Sequence, residues 1–80
     1  MDFIFYPVKP ASDGIILELK VDNTPEKALR QIKARDYLLK FQGRLGDTPR
    51  YTGRILAVGM SYDRKTKKHS CKVEILRNAL

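Results

Sequence analysis

The chain has 80 residues with a formal net charge of +7 and a sequence pI near 9.8. That length allows one domain with a modest core, and it makes help from a second copy or a partner segment a reasonable expectation. No stretch approaches the roughly 20 apolar residues of a membrane span. The apolar start Phe3-Ile4-Phe5-Tyr6 is too short, and lacks the basic leader, for a signal peptide. One cysteine, Cys71, excludes an internal disulfide and a cysteine-based zinc site, and it fits a reducing, cytoplasmic setting. The positive balance favours polyanions such as nucleic acid, or else is a solvated basic surface.

Residues 2–8 carry aromatic and β-branched side chains and are bounded by Pro7 and Pro10, a strand signal. Residues 9–14 read as a turn. Residues 15–21 form the next strand, so the chain opens on a β-hairpin. Within that strand Ile16, Glu18 and Lys20 share one face, and Ile15, Leu17, Leu19 and Val21 share the other. Opposite charges amid an apolar run are costly unless paired, exposed or used. Asp2 joins Glu18 and Lys20 on one face if the hairpin register is even-sum, and lies opposite them if it is odd.

Asn23-Thr24-Pro25-Glu26 is a helix start, with Thr24 as N-cap, Pro25 at N1 and Glu26 in the first turn. The helix is predicted to run to about Phe41 and to stop at Gly43. Ala28, Leu29, Ile32 and Leu39 form its apolar stripe, widened by Ala34 and Leu38. Lys27, Arg30, Lys33 and Lys40 lie mostly opposite. Gln31 falls inside the apolar arc, where an amide needs partners; Tyr37 falls on the more polar side.

Residues 43–53 are a polar loop. Residues 54–60 are continuously apolar after Arg54, as in a central strand buried on both faces. Residues 62–68 form a basic turn holding Arg64, Lys65, Lys67 and Lys68, either a solvated hairpin tip or a phosphate contact. Residues 69–76 alternate, with Cys71, Val73 and Ile75 expected inward and Ser70, Lys72 and Glu74 outward. This strand pairs with its predecessor as a hairpin, and His69 is read as a surface residue. The expected fold is α/β (α+β): a small mixed sheet in the order β-β-α-β-β with one main helix packed on it.

Phosphodiester hydrolysis requires a divalent cation, an activated water and stabilisation of developing charge. Mg²⁺ or Mn²⁺ uses one or two carboxylates plus waters and phosphate oxygens, which Asp2 and Glu18 could supply, with the backbone carbonyl of Leu19 as a further ligand. Lys20 could orient the water or stabilise charge. The same E-x-K spacing also arises as an exposed ion pair worth little.

The larger pattern resembles the PD-(D/E)XK nuclease superfamily. More narrowly, it is similar to the nuclease-like domain at the C-terminus of bacterial AAA-ATPase-like proteins. Asp2 with Phe3-Ile4 matches the family's first motif strand, and Ile16-Leu17-Glu18-Leu19-Lys20-Val21 matches its I-x-E-x-K strand. Ala28-Leu29-Arg30-Gln31-Ile32 with Tyr37 matches its A-x-x-Q-I…Y helix, and residues 59–62 with 71–74 match its final hairpin. The resemblance implies Asp2 and Glu18 as metal ligands, Lys20 as the catalytic lysine and Gln31 as an accessory site residue. It implies Mg²⁺ or Mn²⁺ as cofactor, DNA as substrate and a restriction-endonuclease-like core. It also implies an ATPase-like region and a helix ahead of the first strand. Met1 stands where the family has Gly-Arg, no G-x-x-x-x-G-K-[ST] loop occurs, and the chain reads as a partial core. The contrasting expectations are a non-catalytic basic module binding nucleic acid or protein, and a truncated remnant that folds only as a homodimer or with the missing segment.

Overall fold

The computed structural model describes residues 2–35 and 51–79. The expected residues 36–41 of the helix, its stop at Gly43, Tyr37, Leu38, Leu39, Lys40 and the loop up to residue 50 lie outside the described residues.

The first strand, β1 (Asp2–Phe5), is followed by β2 (Gly14–Val21), helix α1 (Pro25–Ala34), β3 (Ile55–Asp63) and β4 (Lys68–Arg77). The strands form a four-stranded sheet in the spatial order β1-β2-β3-β4. Pairing is antiparallel between β1 and β2, parallel between β2 and β3, and antiparallel between β3 and β4. The expected order β-β-α-β-β, the mixed sheet and the two hairpins are therefore present.

Local chemistry accounts for the helix start. Thr24 is extended, with φ −107° and ψ 151°, and its Oγ1 accepts from the Lys27 N–H at 3.2 Å. That satisfies one of the orphan donors of the first turn, and Pro25 follows where a missing N–H does no harm. Asp22, at φ 53°, turns the chain between β2 and the cap. At the other end Arg35 is the C-cap, and its N–H is shared between the carbonyls of Gln31 and Ile32.

Ala28, Leu29 and Ile32 are the buried stripe of α1, while Lys27, Arg30 and Lys33 are exposed, as the periodicity predicts. Ala34 is exposed and does not widen the stripe. The core joins Leu29 and Ile32 to Ile16, Ile55 and Ala57, with Ile4, Tyr51 and Leu76 packed around them. The helix approaches β3 closely because Gly59 has no side chain: a Cβ there would lie 2.4 Å from the Pro25 carbonyl oxygen and 3.0 Å from Leu29 Cγ. Ala57 and Ser61 continue this row of small residues, and both are buried.

Two expectations about packing are corrected. β3 is central in its pairing, but only one of its faces is buried: Ile55, Ala57, Gly59 and Ser61 are buried while Leu56, Val58, Met60 and Tyr62 are half-buried. Cys71, Val73 and Ile75 are exposed, whereas Glu74 is half-buried on the helix side. The alternation in β4 was legible, but its inward direction was inverted. The register pairs Cys71 with Met60 and Val73 with Val58, so these residues share the sheet face opposite α1. Lys72 and Glu74 instead point toward the helix, where they meet Glu26 at 3.8 Å and Lys33 at 2.5 Å.

Candidate functional site

The site lies on the helix-covered face of the sheet, at the β1 edge. The register pairs Asp2 with Glu18 and Ile4 with Ile16, an even-sum register. Directly opposed residues on neighbouring strands project to the same side, so Asp2 and Glu18 meet. Lys20, one residue pair further along β2, shares that face and pairs with Ser61. These two strands thus oppose the two acids and place the lysine singled out in the sequence on the same face. Leu19 directs its side chain to the opposite face, so only its backbone belongs to this side of the sheet.

The two acids sit in different surroundings. Glu18 is 1 % exposed, as buried as the core isoleucines. Its carboxyl is raised above the usual carboxylate range, first by burial, then by the hydrogen bond to Asp2 and by that neighbour's charge. Asp2 is lowered, chiefly by the same hydrogen bond, with Arg35 adding to the effect. Of the two, Asp2 is the acid that ionises more readily and Glu18 the one that holds its proton more tightly.

Arg35 is a third member that the sequence did not disclose. Its Nη1 donates to Asp2 Oδ2 at 2.5 Å and lies 3.9 Å from Glu18 Oε2. The helix C-cap thus places a guanidinium against Asp2, at the edge of the acid pair. A signal existed: Arg35 lies four residues after Gln31, on the same helix face, and a cation at a helix C-terminus complements the dipole. What the sequence could not give was the approach of that helix end to β1.

Gln31 is half-buried, one turn before Arg35, and its amide makes no hydrogen bond among the described residues. Lys20 is half-buried, and its ammonium has no ion-pair partner among the described residues. Among the described residues no cluster of three or more His, Cys, Asp or Glu side chains gathers to hold a metal ion. The donor set at this site is two carboxylates. That set fits an oxygen-loving cation such as Mg²⁺, which takes one or two carboxylates and completes its shell with water and phosphate oxygens.

Elsewhere, acids are used for structure. Asp13 makes a two-pronged bond with Arg54, at 3.1 and 2.7 Å. Asp22 accepts from the backbone and side chain of Arg64, at 2.9 and 2.7 Å. Arg64 is thereby committed to the fold, leaving Lys65, Lys67 and Lys68 as the exposed charges of the hairpin turn. His69 is exposed and stacks against Tyr62 at 4.7 Å between ring centres, a surface strand residue as expected. No helix among the described residues is long and apolar enough to cross a membrane.

Comparison of this chain with family models, with curated proteins and with solved structures finds no match. The functional reading rests on the site itself.

Proposed function

We propose that this chain is a metal-dependent nuclease-like domain of PD-(D/E)XK type that hydrolyses DNA phosphodiester bonds. The observation that carries the reading is the β1–β2 register, which opposes Asp2 to Glu18 and sets Lys20 on the same face. The burial of Glu18 supports it further: a carboxyl at 1 % exposure beside a second carboxyl is an expensive arrangement for stability alone.

Asp2 and Glu18 are the residues that would hold Mg²⁺ or Mn²⁺, with the Leu19 carbonyl as a further oxygen. Bound there, the ion would polarise phosphate oxygens and acidify a coordinated water. The chain's own residues set the conditions. Burial raises the Glu18 carboxyl, and a cation takes the ionised form, so cation binding strengthens as pH rises. The Arg35 guanidinium must also yield its contact with Asp2. Lys20 would hold the attacking water by a hydrogen bond and offer positive charge to the developing oxyanion. Gln31, on the adjoining helix face, would orient a phosphate oxygen or a water. The exposed lysines of the hairpin turn add a positive field favourable to DNA. The fold, in this reading, is a restriction-endonuclease-like core working in the cytoplasm, beside an ATPase-like region.

The alternative is a basic module that binds nucleic acid or protein without cleaving. It is favoured by one observation, the contact of Arg35 with Asp2, which already neutralises the acid pair. Thermal unfolding with added Mn²⁺ or Mg²⁺ separates the two. Stabilisation of the wild type that disappears in Glu18→Gln supports the metal site, because a ligand bound only by the native state raises stability. The absence of any response in the wild type places the binding module ahead.

A further inference from the structure

Among the described residues, the sheet's second face is the most apolar surface, and α1 does not lie on it. It is built from Phe3 and Phe5 on β1, the odd positions of β2, the even positions of β3 up to Met60, and Cys71, Val73 and Ile75 on β4. None of these side chains is charged, although the chain as a whole carries +7. The edge positions are open: Phe3 is 41 % exposed, Phe5 52 %, Val21 51 %, Val73 54 % and Ile75 52 %. α1 instead covers the face with the smaller residues, Ala57, Gly59 and Ser61, and with Glu18. Ile4, Ile16, Ile55 and Leu76 pack on the helix side, but most of the larger hydrophobic side chains of the strands lie on the side the helix leaves uncovered.

We infer that this face is a dimer interface, and that its occupant is the same face of a second copy of the chain. Three observations select the occupant. First, with strand spacing of about 4.8 Å and a rise of about 3.3 Å per residue, the face covers on the order of 400 Å² before side-chain relief is counted. That is at the scale of the largest patches monomers leave in water. Two such faces come to on the order of 800 Å², which side-chain relief raises toward the roughly 1,000 Å² that a specific interface requires. Second, two copies that each carry +7 repel least across a surface free of charge, and this face is such a surface. Third, the buried core of the described residues contains only six hydrophobic residues, Ile16, Ala28, Leu29, Ile32, Ile55 and Ala57. A small core gains most from a second hydrophobic layer.

The interface is isologous: each copy presents the same patch, related by a two-fold axis. The two sheets pack face to face as in a β-sandwich, about 10 Å apart. Phe3 and Phe5, whose rings stack at 6.5 Å between centroids, supply the aromatic contribution at one margin of the patch. The two acid sites then lie on the outer sides of the dimer, away from the contact.

Light scattering coupled to gel filtration tests this, with the wild type compared with Val73→Lys and with Ile75→Lys. Both positions are more than half exposed, so a lysine there is compatible with the monomer fold, which circular dichroism checks. The wild type is expected at twice the chain mass of 9.2 kDa, and both variants at the single-chain mass with an unchanged spectrum. Cys71 provides a reading that needs no variant. It lies on this face, so maleimide labelling should slow at least tenfold as wild-type concentration rises through the dimer range, while Val73→Lys labels at one rate throughout. A wild type that remains at single-chain mass with concentration-independent labelling overturns the proposal and leaves the face to an apolar segment of another protein. Dimers that persist in both variants overturn it as well, as do open-ended oligomers, which would point to pairing along the β1 or β4 edge.

Discussion

The two faces of the sheet come from the same strands and follow the same two-residue alternation, yet they differ in nearly every property. The helix-side face carries Asp2, Glu18, Lys20, Ser61, Lys72 and Glu74, together with the core residues Ile16 and Ile55 and a few small residues that let α1 approach closely. The opposite face carries only uncharged side chains and is left open at its margins. In a protein ordered by hydrophobicity alone, α1 would cover the more apolar face. Here the helix is spent on enclosing the acids. Glu18 is held in a low-dielectric setting beside Asp2, and burial first, then that neighbour, raises its carboxyl while Asp2 is lowered. Chemistry is concentrated on one side, and unsatisfied apolar area on the other.

The comparison can be broken most forcefully in the core. Ile32→Ala removes a side chain that is 1 % exposed and should destabilise by about 2–5 kcal/mol. Val73→Ala on the open face should cost less than about 1 kcal/mol when measured at concentrations low enough to keep the chain monomeric. Urea unfolding of both variants checks the contrast, and equal losses would mean that the second face is as enclosed as the first. Gly59→Ala belongs with the core change. Its new Cβ meets the Pro25 carbonyl at 2.4 Å, so α1 must shift, at about 1–3 kcal/mol.

Lys20→Ala sharpens the functional side of the comparison. Under the nuclease reading, cleavage of plasmid DNA with Mn²⁺ should fall by at least about 100-fold, while the melting temperature stays close to wild type. Cleavage at the wild-type rate would remove Lys20 from the reaction.

The pH dependence of stability is smaller but has a definite sign. Glu18 is raised on folding, so its contribution is present below its unfolded value and is lost as pH rises through the raised folded value. Asp2 is lowered, so its contribution is present above its unfolded value and is lost as pH falls through the lowered one. The acid pair is thus most stabilising between those two limits. Glu18→Gln keeps a hydrogen-bonding group and cannot ionise. Without metal, it should therefore be more stable than wild type on the alkaline side by several degrees, at about 4–8 °C per kcal/mol for a domain of this size. Thermal unfolding across the pH range checks this, and a constant difference would mean that Glu18 does not titrate as its surroundings dictate.

The smallest effect is expected at the rim. Asp13 is held down by Arg54 in a solvent-facing pair. Such solvent-facing pairs contribute little to stability. Asp13→Asn should change the urea midpoint only slightly, and less still in high salt.

Much of this arrangement was legible from side-chain order. The cap at Thr24, the Pro25 start, the stripe of Ala28, Leu29 and Ile32, and the sharing of one face by Ile16, Glu18 and Lys20 follow from local chemistry and periodicity. Neither depends on distant parts of the chain. Three features did not follow. The hairpin register decided whether Asp2 would meet Glu18, because the turn between the strands is long enough to permit either parity. The path of α1 decided that Arg35 would reach those acids, since a contact across 33 positions leaves no periodic trace. The choice of covered face decided the fate of Cys71, Val73 and Ile75. Alternation groups side chains onto faces, but which face receives the helix depends on how closely the helix can approach. Gly59 and Ala57 settle that approach on the less apolar side. Sequence determined which residues travel together; tertiary packing decided what each group would meet.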